Sequence, residues 1–307
     1  MICALRLLAL LLGVLEAHAQ GLPGSETVVL RVDSESIFGH LFRPRTSAAA
    51  KPPAMVIVHG FGGVSDAREG FWARELAALG VAALVVESFT ARGAASTIED
   101  QSRVSTAQGV RDAYAALAYL ASQDFVDPRR IGVMGMSWGG SVALRAADRR
   151  RQGGGQGFAA SIALYPGCVA QYRNPQPGPQ LLVLIGERDD YTGIRTCADY
   201  LKRIAAAGGT AQLKIYRGAH HGFDGDTATR GEYFAQAQSF RDCVLYIEDD
   251  GSTAYGRTGE PLESAQKAFD VMRRDCMRTG ATVAANTRVK SQALEDVRAF
   301  LKTTLLH

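Results

Sequence analysis

The sequence predicts an α/β protein, with a mostly parallel central sheet flanked by helices on both faces. Apolar runs at 54–58, 81–86, 131–134, 159–164 and 181–185 have the length and unbroken hydrophobicity of strands buried on both sides. Between them, apolar residues recur at helical spacing: Trp72, Leu76 and Leu79 in one stretch, Val110, Tyr114, Leu117 and Ala121 in the next. Strand alternating with helix is the pattern of stacked βαβ units.

Taken in order, 27–32 and 37–42 read as a hairpin around Asp33-Ser34-Glu35-Ser36, and their polar alternation places them at a half-exposed edge. A loop at 43–53 leads to the strand at 54–58. Residues 65–79 form a helix capped by Gly80, and 105–122 form another. The strand at 131–134 turns sharply into a helix carrying Val142, Ala143, Ala146 and Ala147. The proline- and glycine-rich 171–180 reads as a loop, followed by a strand, a helix near 196–206 and a strand at 211–216. After Phe223 the alternation breaks down. Residues 244–247 read as a short strand, and 261–278 as an amphipathic helix with Pro261 at its start and Gly280 just past its end. Residues 289–302 form the closing helix. The expected organisation is a signal peptide at 1–19 and one domain at 20–307, with an insertion at about 223–286.

The signal peptide follows from Arg6, the short apolar run 7–15 and the small residues Ala17 and Ala19 before Gln20. Export to the periplasm or the medium is therefore expected, with no stable membrane anchor after cleavage. The formal net charge is +3, too small and too scattered for nucleic-acid binding. The densest basic cluster, Arg145 with Arg149, Arg150 and Arg151, reads as a solvated helix end. Of five cysteines, Cys3 leaves with the signal, and Cys168, Cys197, Cys243 and Cys276 suit two disulfides in an exported chain. Spacing alone leaves three connectivities open. Because Cys168 follows one strand and Cys197 begins the helix after the next, their pairing is the expectation, with Cys243 to Cys276 by elimination. No C-x-x-C and no histidine pair at ligand spacing occurs, so neither metal nor cofactor is expected.

The chemistry concentrates at strand ends. Gly135-Met136-Ser137-Trp138-Gly139 matches the G-x-S-x-G turn that exposes a strained serine between strand and helix. His59-Gly60-Phe61-Gly62-Gly63 ends the 54–58 strand, and its glycines suit a loop whose Phe61 N–H joins that of Trp138 in holding an oxyanion. His59 then has a structural part. Gly186-Glu187-Arg188-Asp189-Asp190 and Gly218-Ala219-His220-His221-Gly222-Phe223 bring acid and histidine at later strand ends, leaving open which of each adjacent pair acts. The order serine, acid, histidine is that of α/β-hydrolases.

These four segments together resemble the dienelactone hydrolase family over most of 54–223. The resemblance implies an α/β-hydrolase fold and a nucleophile at Ser137, with Asp189 as the acid, three residues after its glycine, and His221, before Gly-Phe, as the base. Asp190 and His220 are the runners-up. The enzymes that gave the family its name use cysteine where this chain has Ser137, and the insertion after His221 is a second departure. Arg92, after the 81–86 strand, lies at the correct sheet edge to grip a substrate carboxylate, a structural ion pair being the competing reading. The expected activity is hydrolysis of small carboxylic esters through an acyl-enzyme. A peptidase or acyltransferase on the same triad is the alternative within enzymes, and a non-catalytic binding protein the alternative outside them. Nothing in the sequence indicates an oligomeric state.

Overall fold

The computed structural model describes residues 21–44, 51–152, 155–225 and 231–307, so the expected signal peptide lies outside the described residues. The leading hairpin is β1 (Glu26–Val32) and β2 (Glu35–Phe42), antiparallel to each other. In β1, Val28, Leu30 and Val32 are buried and the residues between them are exposed, the period-two pattern of an edge strand. β2 runs antiparallel to β4 (Ala82–Glu87), and from there β4, β3 (Ala54–Val58), β5 (Ile131–Met136), β6 (Ala160–Leu164), β8 (Gln180–Gly186) and β9 (Ala211–Tyr216) lie parallel. The sheet order is β1-β2-β4-β3-β5-β6-β8-β9.

Every residue of β3 is fully buried, and the strand feeds two cores. Val56 and Val58 face α2 (Thr106–Ala121) and α3 (Trp138–Ala146), meeting Val110, Ala113, Leu117 and Val142. Met55 and Ile57 face α1 (Phe71–Ala78) and the closing helix α6 (Thr287–Thr304), meeting Trp72, Leu76, Val297 and Leu301. Each such side chain contributes roughly 1.5–3 kcal/mol by leaving water. This two-sided burial is why the strand reads as an unbroken apolar run. α2 begins with a capping box: Ser105 Oγ accepts from the Gln108 N–H at 3.2 Å, and Gln108 Oε1 accepts from the Ser105 N–H at 3.0 Å. α4 (Arg195–Ala206) packs Cys197, Tyr200 and Ile204 beside α3, against Val183 and Ile185 of β8.

The segment after Phe223 differs from its expected form. It holds β10 (Glu232–Ser239), β11 (Leu245–Ile247), β12 (Thr253–Tyr255), β13 (Pro261–Leu262), α5 (Ala265–Asp275) and β14 (Arg278–Val283). Pro261 starts a short strand rather than a helix, and Ser264 caps α5 by accepting from the Lys267 N–H. Gly280 lies inside β14, at φ 89°, rather than past a helix end. The 171–180 loop is also partly strand, because β7 (Ala170–Tyr172) pairs in parallel with β11. The insertion thereby adds a sheet of order β13-β12-β11-β7 and an antiparallel pair, β10 with β14.

Both expected disulfides are present, Cys168–Cys197 and Cys243–Cys276. The first ties the chain after β6 to the start of α4; the second ties the chain after β10 to the end of α5. Among the described residues no helix is long and apolar enough to cross a membrane.

Candidate active site

Ser137 sits where β5 stops and α3 begins, with φ 55° and ψ −113°. A side chain held there costs on the order of 1–3 kcal/mol and persists only where its surroundings over-determine it. Here the surroundings are the flanking glycines. A Cβ on Gly135 would come within 2.0 Å of the Gly139 carbonyl oxygen, and one on Gly139 within 2.1 Å of the Val58 carbonyl oxygen. The bend therefore admits no side chain at either position. The Ser137 N–H donates to the Leu164 carbonyl at 2.9 Å, pinning the turn to β6.

From Ser137 Oγ to His221 Nε2 is 3.0 Å, and from His221 Nδ1 to Asp189 Oδ2 is 3.0 Å. Serine, imidazole and carboxylate come from the carboxyl ends of β5, β9 and β8, and all three are buried. Asp189 also accepts from the N–H groups of Tyr191 and Thr192 at 3.0 and 2.9 Å, and from Thr192 Oγ1 at 2.8 Å. Burial opposes ionisation of this carboxyl. The charge and hydrogen bond of His221, with the donors of Thr192, outweigh it and hold the pKa below the usual carboxylate value.

The neighbours point elsewhere. Asp190 accepts from the N–H and hydroxyl of Thr282 at 2.8 and 3.1 Å, fastening β14. Among the described residues His220 has no hydrogen bond to Ser137, and its Nδ1 is buried without a partner. His59 is fully buried; its Nε2 accepts from the Ser88 N–H, so Nδ1 bears the hydrogen and donates to the Gly60 carbonyl at 2.7 Å. It holds the turn bearing Phe61, as expected. Neither the Phe61 nor the Trp138 N–H has a backbone acceptor among the described residues, and Trp138 opens α3, where helix N–H groups are unpaired. Both residues line the cleft beside Ser137.

Arg92 requires correction. All five of its donors are taken, by Glu35 Oε2 at 2.9 and 2.6 Å, Asp112 at 2.7 and 2.9 Å, and the Ser88 carbonyl at 2.7 Å. The guanidinium neutralises the fully buried Asp112 and has no donor left for a substrate. The basic cluster also differs from its solvated reading: Arg150 pairs with Asp148, Arg151 Nε donates to the Tyr172 hydroxyl, and Arg145 is largely buried in the cleft wall.

Several residues of the site lie outside the sequence motifs. Thr192 braces Asp189, and an acid followed three positions later by a threonine is a local signal for such a turn. Tyr165 and Tyr191 set their rings edge-on to His221, at centroid distances of 4.6 and 4.8 Å. Asp224, fully buried, accepts from Tyr165 Oη and from Trp72 Nε1, coupling that packing to α1. The cleft above Ser137 has a volume of about 470 Å³. One wall is α3 with residues 101–107; the other is the insertion, through Phe240, Leu245, Ile247, Ala268, Phe269 and Met272.

A serine elbow on a mostly parallel eight-stranded sheet, with histidine and carboxylate in line at later strand ends, defines the α/β-hydrolase architecture. The dienelactone hydrolase family model matches residues 38–247, and the chain belongs to that family. It is 34% identical over 137 residues to the quorum-quenching protein AidA of Acinetobacter baumannii, a match covering 41% of this chain and 43% of that protein. A probable 2-oxo-3-(5-oxofuran-2-ylidene)propanoate lactonase of Bradyrhizobium is 23% identical over 242 residues, covering 72% of this chain and 92% of that one. Among solved structures, the thermophilic esterase Est2 of Thermogutta terrifontis superposes with a TM-score of 0.55 at 20% identity, covering 67% of this chain and 85% of that one. That likeness is one of fold.

Proposed function

We propose that the protein is a serine hydrolase of carboxylic esters, with Ser137 as nucleophile, His221 as general base, Asp189 as the residue orienting it, and the N–H groups of Phe61 and Trp138 as the oxyanion hole. The observation that carries this reading is the unbroken line of two 3.0 Å contacts from Ser137 through His221 to Asp189. His221 Nε2 takes the Ser137 proton as Oγ bonds to the ester carbonyl carbon; the carbon–alkoxide bond then breaks and the alcohol leaves with that proton. Water, deprotonated by the same imidazole, attacks the acyl-enzyme and releases the acid, regenerating Ser137. The buried, ionised Asp189 keeps Nδ1 protonated and offsets the charge that His221 gains in each half-reaction. The lactonase and esterase names among the similar proteins support acyl–oxygen cleavage as the chemistry.

We also read the protein as a single exported domain. The expected leader and the two disulfides support that reading.

A fluorophosphonate probe tests the proposal directly. Peptide mapping should place the adduct on Ser137, with label lost in Ser137→Ala. An adduct elsewhere, or undiminished labelling of that variant, overturns it.

A further inference from the structure

The cleft holds a charge that the ester mechanism does not use. Ser137, Ser141 and Arg145 follow one another at intervals of four along one face of α3, and all three line the same cavity. At 1.5 Å per residue, Arg145 stands about 12 Å along the helix from the nucleophile. Its guanidinium has no carboxylate partner among the described residues, and its Nε is shut away from solvent with nothing to donate to. Tyr172 and Tyr200 lie near it, and the Tyr172 hydroxyl is already engaged by Arg151 at 2.6 Å. Burial pulls the pKa of Arg145 below the usual guanidinium range, yet arginine stays charged. Lying in the last turn of α3 gives the cation some help from the helix dipole. That help leaves its buried Nε–H without an acceptor. Arg92 shows how this protein treats an arginine that serves structure alone, since both of its acidic partners are in place.

The cavity that holds Ser137 and Arg145 is more apolar than polar, with Val169, Phe240, Leu245, Phe269 and Met272 in its lining beside Ser141 and a second cation, Arg241, whose Nη1 donates to the Asp190 carbonyl at 2.6 Å. An occupant must therefore be polar at both ends and aliphatic between them. Resting on the ester-hydrolase reading, we infer that Arg145 is a binding residue for a distal carboxylate, and that the preferred substrates are esters bearing that anion several methylenes from the scissile carbonyl. The guanidinium fork accepts a carboxylate bidentately, and the insertion supplies the wall along which the chain lies.

The test compares p-nitrophenyl hydrogen suberate with p-nitrophenyl octanoate, which match in chain length and differ in the terminal carboxylate. The acetate ester of ω-hydroxyoctanoate, against octyl acetate, places the anion on the alcohol side. In the wild-type protein at least one charged member should exceed its neutral partner in kcat/KM by roughly ten- to a hundredfold, the range of a charge-assisted hydrogen bond. Arg145→Gln should erase that ratio, and Arg145→Lys should restore part of it. Equal rates for charged and neutral members in the wild type overturn the inference without any variant, as does a ratio unmoved by Arg145→Gln. Absence of turnover on all four esters would instead refute the ester-hydrolase reading; the inference then fails with it, a result distinct from turnover without preference.

Discussion

The two walls of the cleft are built by different means. The wall that carries Ser137 rests on β3 and β5, every residue of which is buried between two helical layers. The opposite wall rests on strands of two or three residues, β11 to β13, and on α5, of which Ala268 and Val271 alone are buried. The first is held by burial over a large core. The second has a small core of Phe240, Leu245, Tyr255, Leu262 and Val271, closed by Cys243–Cys276. The proposed nucleophile, which tolerates little displacement, sits on the rigid side, and the side that shapes the cavity is the one with less to hold it.

Substitutions should therefore separate by wall. The largest effect is expected at Ser137: Ser137→Ala should lower kcat on a small aryl ester by roughly 10⁴- to 10⁶-fold with little change in melting temperature. A rate within tenfold of wild type removes Ser137 from the mechanism. Next, Asp189→Asn should reduce kcat by about 10⁴-fold. Asp190→Asn, one residue along, should stay within tenfold and act on stability through β14. Equal losses at the two positions would mean that the acid had been misassigned.

The disulfides sharpen the contrast. They span 29 and 33 residues, so chain entropy assigns each about 3 to 4 kcal/mol. Replacing Cys168 and Cys197 by serine should lower turnover as well as stability, because their bridge anchors the start of α4 just past the Asp189 turn. Replacing Cys243 and Cys276 should lower stability and alter chain-length preference, leaving turnover of a short acetate ester near normal. Calorimetry with kcat on short and long esters reads both. If the second pair abolished acetate turnover, the walls would not be separable. Smaller still, Phe269→Ala should shift preference among acyl chains by several-fold, about 1 kcal/mol of lost contact.

Acid completes the series. The folded pKa of Asp189 lies below the ordinary value of about 3.9, so its stabilising contribution is whole above that pH and is lost as the pH falls through the lowered value. Asp189→Asn should accordingly flatten the acid limb of the stability curve.

What the sequence made legible follows the same division. Ser137, Asp189 and His221 could be found because each follows a strand, in a turn whose glycines leave a local signature; β5 and β8 are apolar throughout or nearly so, whereas β9 alternates and is mostly exposed. Separating Asp189 from Asp190 needed the family resemblance, as both leave the same strand. The insertion was opaque for a physical reason: β7 pairs with β11 across more than seventy residues, and β10 with β14 across about forty to fifty. In short polar strands, pairing at that range overrides local preference. Arg92 and Arg145 both depart from their expected parts for a related reason. Proximity to a sheet edge says nothing of whether Glu35 and Asp112 fold back onto one arginine while, among the described residues, no acid reaches the other.

The way β14 returns has a further consequence. Val283 bridges to His221, the Ala284 N–H donates to the His221 carbonyl at 3.1 Å, and the Asn286 N–H donates to the Phe223 carbonyl at 2.9 Å. The excursion that begins after Phe223 thus ends beside its own point of departure, and its two stems are stitched together next to His221, the proposed general base. A segment whose ends already meet is an exchangeable cassette: closing a shorter or longer piece of chain across the same stems alters the loop entropy only logarithmically. Grafting a different excursion between Phe223 and Asn286 would redraw the cavity without moving the serine, the imidazole or the carboxylate, a route by which one hydrolytic centre can acquire new selectivities.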